Sequence, residues 1–271
     1  MHLIDIGVNL AHRRFDKDRD AVVARARAVG VGTMVLTGTS VRESARVLEL
    51  AEEYDLVATV GVHPHDARHV DEAALASLES LARHPRCVAI GECGLDFDRD
   101  FSPRPDQERA FTAQLELAAA LGKPLFLHQR AAWGRFEALL RAVMGRVPGA
   151  VVHCFTDGPE VAEAALALGC HVGVTGWICD DRRAAALRAA VPRVPGGRLM
   201  LETDAPFLSP RDLAGDSPVP GIGLGRLKKR NEPALLPWIC RAVARFRGED
   251  PAALAAACTA TTRRFFGLDG P

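Results

Sequence analysis

Eight short, β-prone apolar runs alternate along this chain with segments of helical periodicity, and that alternation restricts the fold more than any other feature. The runs cover residues 2–8 (HLIDIGV), 32–38 (GTMVLTG), 56–63 (LVATVGVH) and 87–92 (CVAIGE), then 123–128 (KPLFLH), 150–155 (AVVHCF), 171–178 (HVGVTGWI) and 198–203 (RLMLET). Nearly all their positions are apolar, as in parallel strands covered on both faces rather than strands with one wet face. Segments 19–30, 42–54 and 105–122 between them carry apolar residues at three- and four-residue spacing, and the last opens on Pro105 and closes on Gly122. Eight βα units in 271 residues predict an α/β fold, a single TIM-type (β/α)8 barrel. A doubly wound open sheet is the competing architecture for the same local pattern. After Glu202 the rhythm breaks: residues 205–231 are rich in Pro and Gly and read as a long loop on the active face. Two or three closing helices follow, over 234–246, 250–258 and 260–266. No linker-like composition divides the chain, so one domain over 1–271 is expected.

Composition removes several function classes. An apolar fraction of 48% supports a sizeable core, yet no run approaches the roughly 20 apolar residues of a membrane span. The N-terminus lacks the basic-then-apolar order of a secretory signal. Seven cysteines form an odd set without CxxC spacing, which fits buried thiols in a reducing cytoplasm better than a disulfide framework. Net charge is zero, so any attraction for a polyanion must be local.

Four apolar stretches end in a residue able to bind metal: CVAIGE at Glu92, KPLFLH at His128, GAVVH at His153 and RLMLETD at Asp204. In a barrel, the C-terminal ends of the strands and the loops after them build the site. Taken singly, each histidine reads equally well as a satisfied strand-end residue, and Glu92 as a loop cap. Taken together, a carboxylate, two imidazoles and a second carboxylate form a mixed oxygen and nitrogen cage open to water, suited to a hydrolytic divalent metal. The oxygen ligands favour magnesium or manganese, and the imidazoles zinc. His63 and His65 flank a proline at the end of the third run; they are candidates for further ligands or, in preference, for hydrogen-bond donors to an anionic substrate. Arg130 lies two residues beyond His128, on the same side of the pleat, where a guanidinium can hold a phosphate or pair with a neighbouring helix. Lys228, Lys229 and Arg230 form a local basic run inside the long loop that a passing polyanion would meet.

These segments together resemble the TatD family of metal-dependent nucleases, TIM barrels of the amidohydrolase type. The resemblance runs over DIGVNL (5–10), GVHPHD (61–66), AIGECGLDF (89–97), LHQR (127–130), HCFT (153–156), GVTGW (173–177), ETDAP (202–206) and RNEP (230–233). It implies a cytoplasmic enzyme that cleaves phosphodiester bonds as a 3′→5′ exonuclease on single-stranded DNA or RNA; a monomer is expected. It implies that Glu92, His128 and His153 bind a divalent cation, magnesium before manganese or zinc, with Asp204 as ligand or general base and His63 as a substrate contact. Glu92 and Asp204 are the expected catalytic carboxylates. One departure concerns the start of the chain: the broader family's Asp-x-His-x-His pattern, whose histidines help hold a second metal, reads Asp5, Gly7 and Asn9 here. A one-metal or loosely two-metal site is therefore expected. A second is Gln129, where cysteine is common; its side chain is expected to point away from the site. Hydrolysis of a small ester, amide or lactone on the same cage is the rival activity, and a non-catalytic binding protein on a degenerate barrel is the rival outside enzymes.

Overall fold

The structure, a computed structural model, describes residues 1–268. Its eight strands lie within or against the apolar runs: β1 (Leu3–Val8), β2 (Val31–Leu36), β3 (Val57–Val60), β4 (Cys87–Asp96), β5 (Leu125–Arg130), β6 (Ala150–Val152), β7 (His171–Val174) and β8 (Leu199–Leu201). Each pairs in parallel with the next, in sequence order from β1 to β8. Just past β8 the chain meets β1 again: the Asp204 N–H donates to Gly7 O at 2.9 Å and the Asn9 N–H to Ala205 O at 2.8 Å. These bonds close the sheet into a barrel. A doubly wound sheet would reverse its strand order at a switch point, and this order never reverses.

Helices α1 (Arg19–Ala28), α2 (Val41–Glu53), α3 (Glu72–Ala82), α4 (Arg104–Leu121), α5 (Trp133–Arg141), α6 (Pro159–Ala167) and α7 (Ala185–Ala190) follow β1 to β7 in turn. Local chemistry sets their ends. The Ser40 hydroxyl caps α2 by accepting from the Glu43 N–H at 3.2 Å, and Gly122 stops α4 in the left-handed region at φ 61°. After β8 come α8 (Leu224–Lys229), α9 (Leu236–Arg247) and α10 (Pro251–Phe266). The stretches 250–258 and 260–266 thus form one continuous helix, since Thr259 between them costs a helix only a few tenths of a kcal/mol. Residues 205–231 are more ordered than a long loop: they contain α8 and bury Leu213, Val219, Ile222 and Leu227 against Ala234 and Leu235.

The largest apolar cluster lies between the sheet and its helices. A second joins Ile6, Val35, Ala89, Phe126, Val151 and Met200, with Phe266 of α10. Six strands can share one cluster only inside the barrel, so these side chains fill its interior. Strand side chains alternate between faces. His128, His153 and Glu202 therefore stand on the inner face one layer above Phe126, Val151 and Met200, towards the C-terminal mouth. No helix among the described residues is long and apolar enough to cross a membrane.

Candidate metal centre

At that mouth lies a cavity of about 1040 Å³ whose wall includes His63, Glu92, His128, His153 and Asp204. Residues far apart along the chain meet around one atom, Oε1 of Glu92. It lies 2.7 Å from His153 Nε2, 2.9 Å from His128 Nδ1 and 3.2 Å from His63 Nε2. The residues whose ligand atoms all lie within 4.8 Å of one another are His63, Glu92 and His128. His63, expected as a substrate contact, thus sits within the ligand cluster itself, while His153 adjoins it through Glu92. The rings of His63 and His128 contact edge-on, with centroids 4.4 Å apart.

Glu92 lies inside β4 rather than at its end, because the strand runs on to Asp96. Gly94 makes this possible: it pairs with His128, and a Cβ there would stand 1.8 Å from His128 O. Glu92 and Asp96 then flank His128 on one face. Asp96 Oδ2 lies 2.8 Å from His65 Nε2 and 3.5 Å from His128 Nε2. The latter contact lacks hydrogen-bond geometry, and His128 Nε2 is buried with no hydrogen-bond partner among the described residues. A carboxylate, converging imidazoles and an orphaned ring nitrogen form a donor set that fits a divalent cation.

Electrostatics agree with the crowding. Burial pushes the Glu92 carboxyl up, but the charges of His153 and His63 and hydrogen bonds from His128 and His153 outweigh it and hold it well below its ordinary range. Burial disfavours a charged His153, and the facing carboxylates Glu92 and Glu202 overcome that and raise it. Burial instead wins at His63, which falls to about 4 despite Glu92. Burial also pushes the Asp204 carboxyl up to about 7, against the opposing charge of His153.

Sequence reasoning missed two carboxylates. Asp96 lies within a quoted motif but four residues beyond the conspicuous Glu92. Glu202 is fully buried; it lies 3.2 Å from His153 Nδ1 and accepts from the Cys154 N–H. Its place on the inner face could have been read from its two-residue offset from Met200. Glu202 also explains Gly7: a Cβ on Gly7 would stand 2.5 Å from Glu202 Oε2, and one on Gly173 2.6 Å from Oε1. The carboxylate thus fills the space that a side chain at position 7 would need. Asp204 is positioned from several sides. Asn9 Nδ2 donates to its Oδ1 at 2.9 Å, Asp5 accepts from Thr203 N–H at 2.9 Å, and Asn231 Nδ2 donates to Thr203 O at 2.8 Å.

The remaining expected residues divide. His65 lines the cavity, pinned to Asp96 and edge-on to Phe101 with centroids 4.6 Å apart. Arg130 reaches the rim, where it pairs with Asp98 at 2.9 Å. Gln129 donates to Asp157 at 2.6 Å, although it too borders the cavity. Lys228 and Lys229 line a neighbouring cavity instead. Arg230 departs from expectation: it is only 8% exposed, bidentate on Asp18 at 2.7 and 2.8 Å, paired with Glu232, and over the Phe15 ring. Its charge is spent on anchoring the segment, so it is withdrawn from the substrate contacts.

Known proteins resemble this chain over nearly its whole length. The profile described as TatD related DNase matches residues 4–267. A 3′-5′ ssDNA/RNA exonuclease TatD from Cronobacter sakazakii is 50% identical over 265 residues, covering 97% of each chain. The protein of the same name from Escherichia coli K12 is 48% identical over 267 residues, 98% of this chain and 99% of its own. Among solved structures, the TatD homologue YJJV from E. coli K12 superposes with a TM-score of 0.84 at 30% identity over 98% of both chains. With the barrel, the Glu92-centred cluster and these relatives in accord along its length, the chain belongs to the TatD related DNase family.

Proposed function

We propose that this chain is a metal-dependent nuclease that hydrolyses phosphodiester bonds, acting 3′→5′ on single-stranded DNA and RNA. One observation carries the reading: a buried carboxylate oxygen meets three imidazoles at the barrel mouth. Relatives of nearly equal length that bear this activity in their names support it. The same relatives argue against a small-ester hydrolase. His63, Glu92 and His128, with His153 beside them, would hold one divalent cation, magnesium first and manganese or zinc as the other candidates. Bound there, the cation supplies positive charge that polarises the phosphodiester and acidifies water.

The chain's own groups do the rest. Asp204, on the wall of the same cavity, is the carboxylate placed to accept the attacking water's proton. Asn9 orients it by donating to Oδ1. His65, held by Asp96, and Arg130, at the rim, meet the negative charge of the phosphate. Arg130 can exchange its half-exposed Asp98 partner for phosphate at small cost, because exposed pairs contribute about 0–1 kcal/mol. A single cation is favoured because Glu202 fills the space above Gly7.

A digestion series with end-labelled single and double strands under magnesium, manganese or zinc tests this reading. Stepwise loss from the 3′ end of the single strand, strongly slowed in Glu92→Gln, is expected. Intact single strands under every ion would refute it.

A further inference from the structure

A second cavity of about 410 Å³ adjoins the first and shares three wall residues with it, Trp177, Phe207 and Leu208. Elsewhere its wall is cationic: Arg14, Arg183, Arg211, Lys228 and Lys229 face one carboxylate, Asp180. That carboxylate is already engaged by Arg182 at 3.1 Å and Arg183 at 2.9 Å. Arg14 donates to the carbonyls of Pro206, at 3.0 Å, and Lys229, so it is oriented without being neutralised. Arg211, Lys228 and Lys229 are exposed and make no ion pair among the described residues. In a chain of zero net charge, uncancelled positive charge is therefore concentrated beside the active site.

Aromatic surface accompanies it. Phe207 is 44% exposed, steadied edge-on by His12 at 5.3 Å. Trp177 stacks under the Arg183 guanidinium at 4.0 Å, and its buried indole N–H has no partner among the described residues. Free cations beside an exposed ring are the two elements of a groove for single-stranded nucleic acid: the charges follow the backbone and the ring stacks on a base.

We propose that this second cavity is a backbone subsite holding the substrate strand next to the bond being cut. Arg14, Arg211, Lys228 and Lys229 meet phosphates, and Phe207 lies under a base. This inference rests on the nuclease reading. It separates the basic run by role: Lys228 and Lys229, at the end of α8, face the strand, and Arg230 anchors the segment that carries them.

The test compares wild type, Lys228→Ala/Lys229→Ala and Phe207→Ala. Anisotropy of a fluorescein-labelled oligothymidylate, in EDTA to prevent hydrolysis, gives affinity between about 50 and 200 mM salt. The double variant should bind roughly tenfold more weakly, and its log–log salt slope should shrink by about 1 to 2. Phe207→Ala should weaken binding about fivefold at an unchanged salt slope. In turnover with added cation, the double variant should raise KM for the oligonucleotide. Its kcat/KM for the p-nitrophenyl ester of thymidine 5′-monophosphate, too short to reach the subsite, should stay within about twofold of wild type. Wild-type affinity and salt slope in the double variant would overturn the subsite, as would an equal loss on the short ester. Arg211→Ala repeats the test at an independent position should the double variant melt early. If wild type cleaves neither substrate under any ion, the nuclease reading falls, and the anisotropy series still decides the subsite.

Discussion

Glu92 is the residue on which the centre depends, since its negative charge sits on an oxygen within 3.2 Å of three imidazole nitrogens. Glu92→Gln keeps its shape and removes that charge. Initial rates should fall by about 10²–10³, the loss typical of one well-placed electrostatic partner, with an unchanged circular dichroism spectrum. Glu202 acts one contact further out, through His153 and the Cys154 N–H. Glu202→Gln should weaken cation affinity about 10–100-fold in a calorimetric titration, and unchanged affinity would deny it an orienting role. Gly7→Ala drives a methyl against the Glu202 carboxylate and Phe126, so thermal melts should show a loss of about 1–3 kcal/mol. Glu92, His128, His153 and Asp204 were legible in the sequence because each closes an apolar run. Glu202 and Asp96 were not, because the more conspicuous neighbours Asp204 and Glu92 masked them. The placement of His63 depends on a loop path after β3 that no periodicity encodes.

Elements differ in how their residues are held. β4 depends on Gly94, where the backbone of β5 comes too close for any Cβ. The segment 205–231 depends on charge: Arg230, Arg226 and Arg25 converge on Asp18, and Arg230 and Arg25 also hold the buried Glu232. Arg230→Ala leaves those carboxylates underpaired, and chemical denaturation should report a loss of about 3–5 kcal/mol. The hydrogen bonds of Arg230 hold the Asp18 carboxyl below its ordinary 3.8. A depressed carboxyl stabilises the fold above its unfolded value and loses that contribution as pH falls through the folded one. The urea midpoint should therefore drop below about pH 4, and Asp18→Asn should flatten that acid limb. From sequence, LKKR reads as one basic patch; burial alone distinguishes the anchoring Arg230 from the exposed Lys228 and Lys229.

For the whole molecule, the apolar clusters that build the barrel are separate from the ligand cluster at its mouth. Chelation should therefore abolish hydrolysis reversibly while leaving secondary structure intact. Returning the cation at about a hundred times its Kd should restore activity and add about 2.7 kcal/mol of stability, visible as a raised Tm. Loss of helical dichroism on chelation would contradict this separation. Sequence by itself determined the eight βα units, the parallel order they require and the carboxylate and imidazoles at the strand ends, because apolar periodicity and strand alternation are local properties. The tertiary structure alone decided that Glu202 occupies the space above Gly7, that His63 enters the ligand cluster, and that Arg230 turns inward while its lysine neighbours face a second cavity. Those outcomes depend on distances between segments brought together by barrel closure, and no local pattern carries such distances.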